Sequence, residues 1–290
     1  MSLTQSLYAE VHDRRRIALP LLFPAFGGLW YLWSFDAPDG LIAVNAAALA
    51  MALGWIMLGR LPKAPHVRIG IAAALALALF LPLLSGPELD GVRRWIAVGP
   101  MNLNAGALLL PLLTLLAARE ARAGPAILGL AAAALALQPD PAALAALALA
   151  AGVLAAHTSS LGFAVVSILA AGLAALTCGL GALEPQPYVE GVLAHVAARS
   201  VWKAVLLAIL LFVVPLWHLV WDPQLFRAEG YALAALLTGF GAMALVGPFP
   251  FPLIGHGAAP ILGFGLALGA ATRRDQFGIA EYLETLDRAR

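Results

Sequence analysis

Apolar residues run through this chain in long stretches, separated by short segments that carry most of the charge, Pro and Gly. IAVNAAALAMALGWIML followed by GRLPKAPHVR (42–68) is typical. The stretches are roughly 15 to 23 residues long, which suits helices that rise 1.5 Å per residue across about 30 Å of hydrocarbon. They lack the two-residue alternation of barrel strands. The pattern predicts ten helices, at about 16–34, 40–59, 67–85, 105–118, 125–138, 141–156, 160–182, 203–221, 231–247 and 258–272. The expected fold is therefore an all-α polytopic membrane bundle, one transmembrane domain over residues 1–290. The tail at 273–290, RRDQFGIAEYLETLDRAR, reads as a cytoplasmic amphipathic helix on the membrane surface.

An even number of spans puts both termini on one side. That side then holds Arg14, Arg15, Arg16, Arg60, Lys63, Arg68, Arg119, Arg122, Arg227, Arg273, Arg274, Arg288 and Arg290, against Arg93, Arg94, Arg199 and Lys203 opposite. By the positive-inside rule both termini are expected in the cytoplasm. Polar and Pro/Gly-rich character gathers in the outward segments: 86–104, LQPDP (137–141), 183–203 and GPFPFPLIGHGAAP (247–260). At membrane depth such non-helical backbone is tolerated only where it is buried in protein or lines a wet cavity.

Composition narrows the function. A mean hydropathy of +0.90, with 62% hydrophobic and 11% charged residues, excludes a soluble domain, and a net charge of +1 excludes a nucleic-acid partner. The single cysteine, Cys178, provides neither a disulfide framework nor a CxxC metal motif. The sequence holds no GxxxxGK[ST] and no HExxH. No metal and no cofactor are expected. The basic residues before the first apolar run are followed by no A-x-A cleavage pattern, so that run is expected to stay as the first membrane helix. No charge interrupts the middle of an apolar run, which disfavours ion-coupled transport.

Candidate chemistry therefore comes from the outward segments. In GVRRWIAVG (91–99), Arg93, Arg94 and Trp95 form either a clamp for an anionic head group or an interfacial Trp with snorkelling arginines. Gln138 and Asp140 flank Pro139. Asp140 precedes Pro141 and so can cap a helix, with a carboxylate oxygen left for the outer cavity. Glu184 and Glu190 share their loop with His195 and Arg199, so either a general base for an incoming hydroxyl or ordinary solvated charge fits there. His256 in LIGHGAAP is either a binding residue for phosphate or sugar, or a polar turn residue. His157 and His218 at helix ends are expected to meet terminal carbonyls.

Taken in order, these segments resemble the shape, elongation, division and sporulation (SEDS) family of RodA- and FtsW-like membrane proteins. The family's G-x-x-R-W-I-x-x-G and QPSE segments correspond to 91–99 and NAGA (104–107). Its QPDLGTA turn corresponds to QPDPAAL (138–144). Its LPFISYGGSS motif corresponds to FPLIGHGAAP (251–260), followed by TRR (272–274). The resemblance spans nearly the whole chain. It implies a SEDS bundle serving peptidoglycan synthesis, cell division or cell shape, and a lipid-linked glycan precursor such as lipid II, held through its pyrophosphate by Arg93 and Arg94. It also implies a class B penicillin-binding protein as partner, besides membrane lipid. Relative to the family, the long loop with the catalytic aspartate is shortened here to 183–203 and contains no Asp, Ala107 replaces the acid of QPSE, and Ala258 and Ala259 replace serines. Three readings stay open: a divergent precursor-binding member with lost or altered glycosyltransferase chemistry; an active lipid II polymerase using Glu190, Glu184 or Asp140; and a lipid or small-molecule transporter.

Overall fold

The computed structural model describes residues 3–62, 64–99, 101–180, 183–223 and 225–271, with side chains from residue 14 onward. Its elements in chain order are α1 (Leu3–Ser34), α2 (Asp39–Leu58), α3 (Pro65–Ala78), α4 (Leu81–Ser85), β1 (Trp95–Val98), β2 (Met101–Asn104), α5 (Ala105–Arg119), α6 (Gly124–Leu137) and α7 (Pro141–Thr158). There follow α8 (Leu161–Thr177), α9 (Val192–Arg199), α10 (Val201–Ala208), a π-helical turn (Ile209–Val213), α11 (Val214–Trp221), α12 (Arg227–Val246) and α13 (Ala258–Ala270). Among the described residues, six helical stretches are long and apolar enough to cross a membrane: Arg14–Ser34, Asp39–Leu58, Pro65–Ser85, Pro141–Thr158, Val201–Trp221 and Arg227–Val246. The shorter apolar helices α5, α6, α8 and α13 account for the other predicted segments. The chain is an all-α polytopic membrane bundle. The amphipathic tail expected at 273–290 lies outside the described residues.

Three local features differ from the expected helices, and two of them follow from proline. The helix expected at 67–85 breaks at Leu79 and Phe80, because Pro82 at the start of α4 has no N–H to donate and its ring crowds the carbonyl four residues back. The helix expected at 203–221 loosens into the π turn at 209–213, just ahead of Pro215, which cannot donate to the carbonyl of Leu211. The third is a β-hairpin within 86–104. Strands β1 and β2 pair antiparallel, with Trp95 opposite Asn104 and Val98 opposite Met101, and Gly99 turns the chain at φ +58°. The loop at 183–203 also contains a short helix, α9.

The centre is packed by small residues. In lipid no hydrophobic force drives helices together, so close backbone approach and dispersion hold them. Helix α7 lies between α8 and α12 and buries Ala143, Ala146, Ala150 and Ala151 completely. Helix α13 packs on α2 and α5. A Cβ on Gly28 would stand 2.9 Å from the Ile254 Cα, so glycine lets α1 lie directly against the 251–257 segment.

Most of the long-range polar contacts among the described residues lie toward one end of the bundle or the other. At the arginine-rich end, Arg14 donates to the carbonyls of Ile56 and Gly59, which close α2, at 2.8 and 3.0 Å. Arg68 is paired with Glu120 at 2.8 Å. The buried Glu229, 1% exposed, takes Arg119 Nε at 2.7 Å, while Arg119 also donates to the Ala270 carbonyl at 2.6 Å. This lock joins α5, α12 and the end of α13.

Candidate functional site

The other end gathers the hairpin, the 137–141 turn, the 183–191 loop and the 251–257 segment. Two helix caps tie the first two together. Asn104 caps α5 by accepting the Ala107 amide at 2.7 Å, and Asp140 caps α7 by accepting the Ala143 amide at 3.1 Å. Asn104 Nδ2 then donates to the second Asp140 oxygen at 3.0 Å, so each cap orients the other. The capping role expected of Asp140 is present, and both its oxygens are engaged at 2% exposure. Gln138 is fully buried and donates to the Leu79 carbonyl at the α3–α4 break, while its Oε1 has no partner among the described residues.

The two arginines of GVRRWIAVG have different surroundings. Arg93 is exposed and held by Glu88, with Nε donating at 2.7 Å. Arg94 is 4% exposed, with its guanidinium carbon 5.0 Å from the centre of the Trp95 ring. The charge of Arg94 acts on Glu190.

Glu190 is half-buried, and its Oε2 accepts the Gln186 amide at 2.7 Å, closing its own loop. Burial pushes its carboxyl above the ordinary value. Backbone amides of Gln186 and Glu190 and the Arg94 charge oppose that rise. Glu184, by contrast, is exposed.

The 251–257 segment is bound to the same loop. The His256 amide donates to the Tyr188 carbonyl at 2.7 Å and the Phe251 amide to the Val189 carbonyl at 3.3 Å. Asn45, buried inside α2, grips the segment from the other side, donating to the Gly255 carbonyl at 3.0 Å and accepting the Gly257 amide at 3.1 Å. The His256 ring is half-buried, and its Nδ1 has no partner among the described residues. Burial lowers its pKa, and a hydrogen bond to the Leu41 carbonyl acts the other way.

An aromatic cluster anchors the loop to α1. The Tyr31 hydroxyl and His195 Nδ1 share a hydrogen bond of 3.0 Å, the Phe35 and His195 ring centres are 4.7 Å apart, and Tyr188 donates to the Phe35 carbonyl at 3.2 Å. Arg199 stacks over Phe35 at 4.3 Å. His195 and Arg199 therefore fasten α9 to α1.

Sequence reasoning missed Asn45 and Asn104. Asn45 is the one strongly polar residue in LIAVNAAALA, a signal for an intramembrane partner. Asn104 stands directly before an apolar helical run, where a cap belongs.

No family model matches the sequence, and no curated protein matches it. Solved structures do. The chain superposes on the crystal structure of Thermus thermophilus rod shape determining protein RodA with a TM-score of 0.60 at 22% identity, covering 87% of this chain and 94% of RodA. This chain has the fold of RodA. A point mutant of the same RodA gives a TM-score of 0.61 at 22% identity, with 87% and 95% covered. A chain of a peptidoglycan synthase complex, described for its coordination of polymerization and crosslinking, gives 0.54 at 21% identity over 87% of this chain and 95% of that one. On the RodA fold of this chain, all three resembling segments (91–107, 138–144 and 251–260) gather at the end opposite the Arg119–Glu229 lock.

Proposed function

We propose that this chain is a divergent SEDS protein of peptidoglycan synthesis, acting in cell division or cell shape. In this reading it crosses the bacterial inner membrane ten times, keeps both termini in the cytoplasm, and binds an undecaprenyl-pyrophosphate-linked precursor such as lipid II at its loop-bearing outer end. The observation that carries the reading is the convergence of Arg94, Glu190 and His256 around one loop on a RodA fold.

The residues take separate parts. Arg94 sits in a low-dielectric setting where a fixed guanidinium holds phosphate oxygens strongly. Arg93, out in solvent, steers the anion, with Trp95 at the interface. The His256 Nδ1, without a partner among the described residues, offers a further polar atom to the head group. Asp140 and Gln138 hold the walls. The glycosyltransferase chemistry is lost or altered, because the loop holds no aspartate and both Asp140 oxygens are engaged. A penicillin-binding protein of class B is the expected partner, by analogy with the synthase complex that the fold resembles.

One observation favours the second reading, an active polymerase. Glu190 is a half-buried carboxylate with a raised pKa, as a general base requires. Single-turnover polymerisation of lipid II by the purified protein with its partner separates the two. The proposal expects lipid II to bind without glycan chains forming, and to bind Glu190→Gln as well as wild type. Glycan chains made by wild type and lost in Glu190→Gln would overturn it in favour of the second reading.

A further inference from the structure

The arginine-rich end carries a cavity that plays no part in the function proposed above. It lies between α1 and α11, has a volume of about 220 Å³, and is lined by Arg16, Trp217, His218, Trp221 and Asp222 among others. It is open to the outside and has room for several waters or a polar group of similar bulk. Two charges of opposite sign, Arg16 and Asp222, thus share one cavity wall.

The indoles above it face outward. Trp217 and Trp221 are 63% and 67% exposed, and their ring centres are 6.1 Å apart with the planes tilted by 42°. Tryptophan in this position belongs to the boundary between hydrocarbon and head groups. Arg14, two residues before Arg16, closes the end of α2, which places Arg16 at that same boundary. Val213, one turn before Trp217, is also exposed and continues the apolar wall toward the membrane interior. His218 at the helix end meets no terminal carbonyl with its ring among the described contacts; it lines the cavity instead.

We propose that this cavity binds the head group of a phospholipid carrying both a phosphate and a primary ammonium, as in phosphatidylethanolamine. Arg16 and a His218 N–H take the phosphate oxygens. The ammonium rests against Asp222 and the two indole faces, where cation–π attraction and a charge-assisted hydrogen bond add. The acyl chains run along Trp217 and Val213. Asp222 is the discriminating group: it repels a purely anionic head group, and a quaternary ammonium cannot donate a hydrogen bond to it.

The test uses the full-length protein in detergent, with dioctanoyl phosphatidylethanolamine, phosphatidylcholine and phosphatidylglycerol as probes, read by native mass spectrometry and tryptophan emission. Wild type should retain the ethanolamine lipid about tenfold more tightly than either of the others. Arg16→Gln should lose that lipid, and Asp222→Asn should lose the preference for it over the choline lipid while still binding both. Both side chains border the open cavity, and an unchanged unfolding midpoint of the variants in detergent serves as the folding check. Equal retention of the three lipids by wild type, a preference for the glycerol lipid, or unchanged ethanolamine binding by Arg16→Gln would overturn the proposal. None of these outcomes bears on the precursor-binding reading, which concerns the opposite end.

Discussion

The two ends of the bundle are held by different physics. At the arginine-rich end, charges neutralise each other: Arg119 meets Glu229 and Arg68 meets Glu120, and the helices beneath are fixed. At the loop-bearing end, amides and carbonyls do most of the holding, through Asn45, Asn104 and the backbone of Tyr188 and Val189, beside one half-exposed ion pair, Arg93 with Glu88. The lesson is that one end spends buried charge on structure, whereas the other is built mainly by neutral groups.

The largest effect that would sharpen this contrast is Glu229→Ala. It strands the Arg119 guanidinium in a nearly buried setting and should cost about 3–5 kcal/mol, seen as a lower unfolding midpoint in detergent. Binding at the loop end should survive in the folded fraction. A loss of less than about 1 kcal/mol would make the lock dispensable.

Asp140→Ala comes next, removing the α7 cap and the acceptor of Asn104 together. It should cost about 1–2 kcal/mol, with Asp140→Asn recovering the cap but not the acceptor of Asn104, since its amide nitrogen would face the Asn104 Nδ2 donor. Full recovery by Asp140→Asn would show that the contact with Asn104 contributes nothing.

Acidity provides a smaller contrast. Burial lowers the His256 pKa from 6.5, so the folded state binds fewer protons there than the unfolded chain. Its contribution is complete above 6.5, declines as the pH falls from there to the lowered value, and changes no further below it. Glu190 has the opposite sign: its raised pKa makes stability decline as pH rises above 4.5. His256→Gln should therefore flatten the acid side of the stability curve, and Glu190→Gln should lift the side above 4.5. An unchanged curve in both variants would remove the burial argument.

Arg93→Ala should do least. Its pair with Glu88 is about half exposed on both sides, so the loss should stay within about 1 kcal/mol.

How much of this was legible in the sequence depends on the length scale. Each long apolar run became helix, since hydropathy over a span is a sum that single residues hardly alter. The hairpin was not legible, because strands of four residues show no usable alternation. The breaks at Pro82 and Pro215 had a visible cause that hydropathy alone overrides. The different surroundings of Arg93 and Arg94 depend on how the chain runs into the hairpin, and the letters RR do not show that. Asp140 was readable as a cap from the proline after it, yet its second partner, Asn104, is 36 residues away. His256 and Glu190 were named as candidates from their loops. Their convergence needed the fold.

The central claim is that the loop-bearing end binds a pyrophosphate and the ion-paired end does not. The most direct measurement is undecaprenyl pyrophosphate binding to purified protein by native mass spectrometry, comparing wild type, Arg94→Gln and Arg68→Gln. The account predicts that wild type and Arg68→Gln bind alike and that Arg94→Gln binds about tenfold more weakly or worse. Equal binding by all three proteins, or a larger loss in Arg68→Gln than in Arg94→Gln, would contradict it.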